Sequence, residues 1–241
     1  MRSTVIPSDP VPALRLRLEV AGASLWPTAC GALWRPEQRT LIVSDLHFEK
    51  GSFYAARGEM LPPYDTRATL RRLTRIVDTL VPDCVIALGD SFHDGDAELR
   101  MSEEDATALR SLTGSCDWVW ILGNHDRSPP SGLGGRACEC LVQDGLSFRH
   151  EPSSPDLAFG EICGHLHPCA RVAGRGGRIR TRCFAADARR IVLPAYGALT
   201  GGLNVLDPAF AAVFPEGFVA ATLGRAGAYL APMSQLIPDT R

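Results

Sequence analysis

Two hydrophobic periods alternate along this chain. Residues 14–19 run Leu-Arg-Leu-Arg-Leu-Glu, a period of two that predicts a half-exposed strand. Leu41-Ile42-Val43 is a short apolar run leading through Ser44 into Asp45-Leu46-His47, so it predicts a buried strand with a polar pair at its C-terminal edge. Over 66–81 the period becomes helical. Leu70, Leu73, Ile76, Val77 and Leu80 share a face, with Asp65 or Thr66 as cap and Pro82 as stop. Residues 84–88 predict the next buried strand, ending in Gly89-Asp90. Ser102-Glu-Glu-Asp105 is a capping-box signature for a helix to about Leu112, and residues 118–122 predict a strand ending in Gly123-Asn124-His125-Asp126.

Beyond residue 140 the rhythm changes. Short strands are predicted around 146–150, 159–163, 178–184, 190–193, 217–222 and 228–231, broken by Gly and Pro. An α/β half joined to a β-rich half predicts two stacked mixed sheets with helices outside, a four-layer α-β-β-α sandwich. Without a repeat or low-complexity linker, residues 1–241 read as one domain, with a β-rich part over 168–241.

Five predicted strands end in side chains that carry metal-binding atoms. These are Asp45 and His47, Asp90, Asn124 and His125, His150, and His165 and His167. Of the six histidines only His93 lies outside this set, three residues from Asp90. In α/β sheets ligands bind just beyond the carboxyl ends of strands. Two divalent ions ~3.5–4 Å apart need a carboxylate between them, with imidazoles and carbonyl oxygens completing each shell. Asp90, alone at its strand end, is the natural bridge. Read as extended segments, Asp45/His47 and His165/His167 each place two side chains on one side, so each pair can grip one ion. Gly89, Gly123 and Gly164 each precede a ligand segment and permit close backbone approach.

Composition narrows the partners. With 45% hydrophobic and 22% charged residues the chain reads as globular, and its net charge of −2 provides no global basic field for long duplex nucleic acid. No apolar run approaches the ~20 residues of a membrane span, and the N-terminus lacks a signal-peptide pattern, so a cytoplasmic location is expected. Cysteines such as Cys84, Cys163 and Cys183 sit in apolar runs and read as reduced buried thiols. Cys138-Glu-Cys140 lacks the second pair that a zinc site needs.

Asp45-x-His47, Gly89-Asp90, Gly123-Asn124-His125-Asp126, His150 and Gly164-His165-x-His167, in this order, resemble the calcineurin-like metallophosphoesterase signature. The resemblance implies that fold and a site of two divalent ions. Asp45, His47 and His167 would hold the first metal, Asn124, His150 and His165 the second, with Asp90 bridging. It further implies that His125 contacts the phosphate and protonates the leaving oxygen, while a metal-bridging hydroxide attacks phosphorus in line. Gly89-Asp90-Ser91-Phe92-His93 is similar to a motif of double-strand-break repair nucleases in that superfamily, in which the last histidine supports catalysis. A merely polar loop histidine is the other reading. Asp94 and Asp126 could each orient His125, and Asp126 reads more readily as a structural loop carboxylate. Arg178, Arg180 and Arg182 alternate along a predicted strand within an arginine-rich stretch that also holds Arg171, Arg175, Arg189 and Arg190. They would either track a phosphodiester backbone or form a solvated sheet face. Glu49, Lys50 and Tyr64, near the first ligand loops, could touch substrate.

Further runs carry a finer resemblance: Asp45-Leu-His-Phe-Glu-Lys-Gly-Ser52, Pro62-Pro-Tyr-Asp-Thr66, Gly89-Asp-Ser-Phe-His-Asp94, Leu193-Pro-Ala-Tyr-Gly197 and Gly201-Gly-Leu-Asn204. They are similar to the bacterial ligase-associated DNA damage response endonucleases. That implies a manganese-dependent phosphodiesterase working beside a DNA ligase and a helicase, with ends, flaps or short single strands as DNA substrates. Iron, zinc and nickel suit the same donors. A small-molecule phosphodiesterase or nucleotide pyrophosphatase is the rival reading. A non-catalytic scaffold fits less well, because every proposed ligand is present.

Overall fold

A computed structural model describes residues 14–239 except 60, 63, 129, 155–157 and 175–176. The N-terminal residues 1–13, Pro63 and Arg175, read in the sequence above, lie outside the described residues.

The first sheet holds β1 (Leu18–Val20), β2 (Ala23–Pro27), β3 (Leu33–Arg35), β4 (Thr40–Val43), β5 (Cys84–Leu88), β6 (Asp117–Ile121) and β7 (Arg136–Cys138), in that spatial order. Strands β1 to β4 pair antiparallel, and β4 to β7 pair parallel. Helices α1 (Lys50–Ala55), α2 (Asp65–Leu80), α3 (Ala97–Arg100) and α4 (Glu103–Thr113) fall in the connections. The second sheet is built from β8 (Cys140–Gln143), β9 (Leu146–Arg149), β10 (Gly160–Cys163), β11 (Pro168–Gly174), β12 (Gly177–Ala186), β13 (Arg190–Val192) and β14 (Leu203–Asn204). It is extended by β15 (Val219–Gly224), β16 (Gly227–Ala231) and β17 (Leu236–Ile237), with α5 (Pro208–Val213) beside it.

Parity along the central strands sorts the cores. Leu41, Val43, Val85, Ala87, Trp118 and Trp120 share a cluster with Leu70, Leu73 and Ile76 of α2 and Leu109 and Leu112 of α4. Their neighbours Ile42, Ile86, Leu88, Val119 and Ile121 meet Leu146, Phe148, Ile162, Phe184 and Ile191 of the second sheet. Cys163, Cys183, Ala185 and Val192 pack with Phe210 and Phe214 at α5. Each such large side chain contributes ~1.5–3 kcal/mol by leaving water. Three successive apolar interfaces make four layers, the α-β-β-α sandwich expected.

Several elements differ from expectation in detail. The alternation over residues 14–19 yields a strand only at β1; Leu14 and Leu16 pack on the cores without ladder partners. Ser102 caps α4 as expected, its hydroxyl accepting the Asp105 N–H at 3.2 Å. Neither Asp65 nor Thr66 caps α2; Tyr64 precedes the helix and no side chain caps it. β7, β8 and β11 carry no clean alternation in sequence and become strands by pairing with neighbours. The eight cysteines are free thiols. Among the described residues no helix is long and apolar enough to cross a membrane.

Candidate metal centre

β4, β5 and β6 are parallel neighbours in one sheet, and β9 and β10 are parallel neighbours in the other. All five end at the same place, so the loops carrying Asp45, Asp90, Asn124, His150 and His165 meet between the sheets. His150 spans them, its Nδ1–H donating to the Leu88 carbonyl at 2.9 Å. The His165 N–H donates to Asp45 Oδ2 at 3.2 Å.

The ligand pairs are not extended, contrary to the period-two reading. Asp45 (φ 54°), His47 (φ 45°), Asp90 (φ 46°), His165 (φ 69°) and His167 (φ 46°) all adopt left-handed backbone. The region costs roughly 1–2 kcal/mol for a residue with a Cβ. Each loop turns sharply at its ligand, so convergence comes from tight turns past the strand end. Close approach explains all three glycines, a Cβ at Gly89 standing 2.6 Å from the His150 side chain. A Cβ at Gly164 would stand 1.8 Å from Ser44 Oγ, and one at Gly123 2.3 Å from the Asp90 nitrogen.

Two donor sets result. Asp45, His47 and His167 bring ligand atoms within 4.8 Å of one another, as do Asp45, Asp90 and His150. The second set extends to Asn124 Oδ1, which lies 2.9 Å from His150 Nε2 and 3.1 Å from His165 Nδ1, with those two nitrogens 3.2 Å apart. Asp90 Oδ2 joins the sets, 3.9 Å from His47 Nε2 and 3.4 Å from His150 Nε2. His47, His93 and His125 form a third such group. With Nδ1–H given to Leu88, neutral His150 offers a lone pair at Nε2, facing another acceptor in Asn124 Oδ1. Asp45 Oδ1 and His47 Nε2 are buried without hydrogen-bond partners, although His167 Nε2 is 3.0 Å from the former. Crowded acceptors and buried orphans are satisfied by a cation among them.

The electrostatics agree. Burial opposes the charge on Asp45, yet His167, His150 and the Ser44 hydroxyl hold its carboxyl below the usual range. Burial likewise opposes Asp90, but the His150 hydrogen bond and charge and the His125 N–H hold it well below. Burial pushes His47 down to about 3, leaving it neutral. At His150 burial is outweighed by Asp90 and Asp45, and its pKa rises to about 9. In this cluster a proton and a metal ion compete for one lone pair.

His125 is oriented by a backbone carbonyl, not by a carboxylate. Its Nδ1 lies 2.8 Å from the His93 carbonyl, and its Nε2 points 3.9 Å from Asp90 Oδ2. Of the two roles open to Asp126, orienter of His125 or structural loop carboxylate, the structure shows the second: it accepts the N–H groups of Asp90, Ser91, Phe92 and Gly123 at 2.7–3.2 Å. Both of its oxygens are taken in clamping the Asp90 loop. Asp94 is held by Arg100 at 3.1 and 2.5 Å. His93 stacks on His125 (centroids 5.2 Å, 21°) and on Tyr54 (5.9 Å, 29°), with its Nδ1 3.3 Å from His47 Nδ1. Burial, with Lys50 and His125 nearby, lowers His93 to about 4.

The arginine stripe is largely engaged. Arg180 binds Asp239 at 3.1 Å and the Gly202 carbonyl at 2.5 Å; Arg182 donates to the Ala195 carbonyl at 2.8 Å. Only Arg178 of the three is exposed without a described partner, so two of them hold the 195–204 loop. Arg190 is buried against Glu161.

The supports of the ligand loops escaped the residue-by-residue reading. The Thr66 hydroxyl accepts the Glu49 N–H at 2.8 Å and donates to Glu49 Oε1 at 2.9 Å, while Asp65 Oδ2 accepts the Gly51 N–H at 3.0 Å. The Tyr196 and Gly197 N–H groups bond the Ser44 and Asp45 carbonyls at 2.8 and 3.0 Å. These residues stand in the runs that carried the finer resemblance, which was their one signal.

The family model for calcineurin-like phosphoesterases matches residues 38–201. Among solved structures the chain is similar to nuclease MPE from Pseudomonas putida, with TM-score 0.70 and 31% identity over 89% of this chain and 99% of that one. Weaker likenesses are to AQ665, a protein of unknown function from Aquifex aeolicus (18% identity, 57% and 81% covered, TM-score 0.38), and to Yfce, a phosphoesterase from E. coli (11%, 80% and 97%, 0.40). No curated protein matches the sequence. With a metal-binding cluster at the strand ends and a family match over more than half its length, the chain belongs to the calcineurin-like phosphoesterase family.

Proposed function

We propose that this chain is a two-metal phosphodiesterase, a nuclease that cuts DNA ends, flaps or short single strands in repair. One observation carries the reading. Two donor sets, Asp45/His47/His167 and Asn124/His150/His165, share Asp90 Oδ2 between them. Similarity to nuclease MPE favours nucleic acid over a small diester. Manganese is the ion of choice, and the nitrogen and oxygen donors suit it. Bound ions supply positive charge at the phosphoryl oxygens and lower the pKa of water toward ~7.

The chain's own groups do the rest. The carbonyl of His93 fixes His125, so that Nε2 is the nitrogen turned to the site, placed to give its proton to the leaving oxygen. Its half-open position lets a leaving group reach it. Asp126 keeps the Asp90 loop closed, and Thr66 holds the loop that follows His47. Work beside a DNA ligase and helicase in a cytoplasmic repair system is part of the proposal. A net charge of −2 argues against long duplex as substrate.

Hydrolysis of bis-p-nitrophenyl phosphate, p-nitrophenyl phosphate and a short single-stranded DNA with added Mn²⁺ tests the reading. Cleavage of the diester and the DNA, with little attack on the monoester, is expected. Diester cleavage with intact DNA moves the assignment to a small-molecule phosphodiesterase. Inactivity on all three with metal bound supports a scaffold.

A further inference from the structure

We infer that the cavity beyond His125 receives the leaving side of the substrate, and that Arg127 within it binds a second phosphate of the nucleic-acid strand. This rests on the nuclease reading above. The cavity is about 260 Å³, and its lining includes Asn124, His125 and Arg127 together with Asp94, Glu98 and Asp126, the last taken up by backbone N–H groups. Drug-sized sites span ~300–1,000 Å³, so this one suits a single nucleotide.

Its position follows from the chemistry. In an in-line displacement the leaving group departs opposite the nucleophile, toward the proton donor. His125 is that donor, and it also forms a wall of this cavity. Asn124, in the second donor set, forms another part, so the space opens directly from the metal centre.

The charges in the cavity are uneven in their engagement. Asp94 is held by both outer nitrogens of Arg100. Glu98 accepts the Ser131 N–H at 3.0 Å and the Gly132 N–H at 2.8 Å. Those bonds fix Ser131 and Gly132, a few residues beyond Arg127. Arg127 itself is exposed and has no partner among the described residues. Arg39, Arg67, Arg100, Arg110 and Arg136 each have a carboxylate, whereas Arg127, like Arg178, has none among the described residues, and of these two only Arg127 lines the cavity beside His125. Planar guanidinium groups bind phosphate through paired charge-assisted hydrogen bonds. An isolated diester has no second phosphate to offer. A strand does.

The test uses the manganese-loaded full chain as wild type, Arg127→Ala and Arg127→Lys. The substrates are bis-p-nitrophenyl phosphate, a dithymidine with one phosphodiester, and a short oligothymidylate. The expected result is about a tenfold fall in the ratio of kcat/KM for the oligothymidylate to that for dithymidine in Arg127→Ala, mainly through KM. Arg127→Lys should recover part of it, and the salt dependence on the oligothymidylate should flatten in Arg127→Ala. An unchanged ratio, whether or not all rates fall together, overturns the role of Arg127. Wild type that cleaves bis-p-nitrophenyl phosphate but no oligonucleotide overturns the nuclease reading and this inference with it. Inactivity of wild type on all three overturns the phosphodiesterase reading as well.

Discussion

At Asp90 the two carboxylate oxygens have different tasks. Oδ1 accepts the His125 N–H at 2.9 Å, which fixes the side chain, while Oδ2 faces His47 and His150. Asp90→Asn keeps the shape and removes the charge that two cations would share. Turnover should fall at least ~100-fold; a kcat above a tenth of wild type, at unchanged metal content by elemental analysis, would remove Asp90 from this role. His125→Asn should retain both metals and lose ~10²–10⁴ in rate, most for poor leaving groups. A series of aryl diesters of graded leaving-group pKa reads this out, and equal loss across the series would exclude His125 as proton donor. The donor residues were legible at this scale because their atom types are dictated by the chemistry. Asp126 was not. A buried carboxylate that clamps four backbone N–H groups has the same letter as one that orients a histidine, and only its neighbours tell them apart.

Among the elements, α2 matters for more than its apolar face. Its first turn reaches across to the loop after β4, where Thr66 and Asp65 bond the backbone around Glu49, itself left-handed at φ 64°. Thr66→Val preserves volume and removes both hydrogen bonds. The buried Glu49 N–H is then unsatisfied, at a cost of about 1–3 kcal/mol. Loss of such outer support should weaken metal binding ~10–100-fold. Calorimetric titration with Mn²⁺ and urea unfolding check the two halves, and wild-type values in both would show that the contact is idle. The strands β4, β5 and β6 were readable because each is buried on both faces. The ligand loops were misread as extended, since left-handed turns at Asp and His leave no periodic trace.

For the whole molecule, the centre is a meeting of two sheets across one apolar core, and its charge is held in place by both. Without metal, Asp90 and Asp45 hold the His150 pKa up at about 9, above the usual 6.5. A raised folded pKa gives stability that is complete below about pH 6.5 and is lost as pH rises through 9. Asp45 and Asp90 are held low, so their contribution exists above about pH 4 and is lost on acidification. Burial holds His47 and His93 neutral when folded, so their protonation in the unfolded chain costs stability below about pH 6.5. Chelated protein should therefore be most stable near pH 6.5 and lose about 3 kcal/mol by pH 10 through His150. Metal must displace the His150 proton, so its affinity rises over the same range and the stability gap between loaded and chelated protein widens. Urea unfolding at pH 6 and 9, with and without Mn²⁺, measures that gap; a constant gap would exclude His150 as a ligand.

What the sequence determined by itself was the set of candidate donors that the fold brings together, and the layered architecture. Runs such as Leu41-Ile42-Val43 declare a doubly buried strand through composition alone, and metal chemistry restricts which letters can follow them. Only the tertiary structure decided which groups are free to act. Arg180 and Arg182 look open as a stripe, yet Asp239, Gly202 and Ala195 engage them from distant segments. Arg127 draws no notice in the sequence and, once the chain is folded, lines a cavity with His125 and has no partner among the described residues. Hydrogen bonds form between residues brought close by packing, and sequence distance carries no record of that.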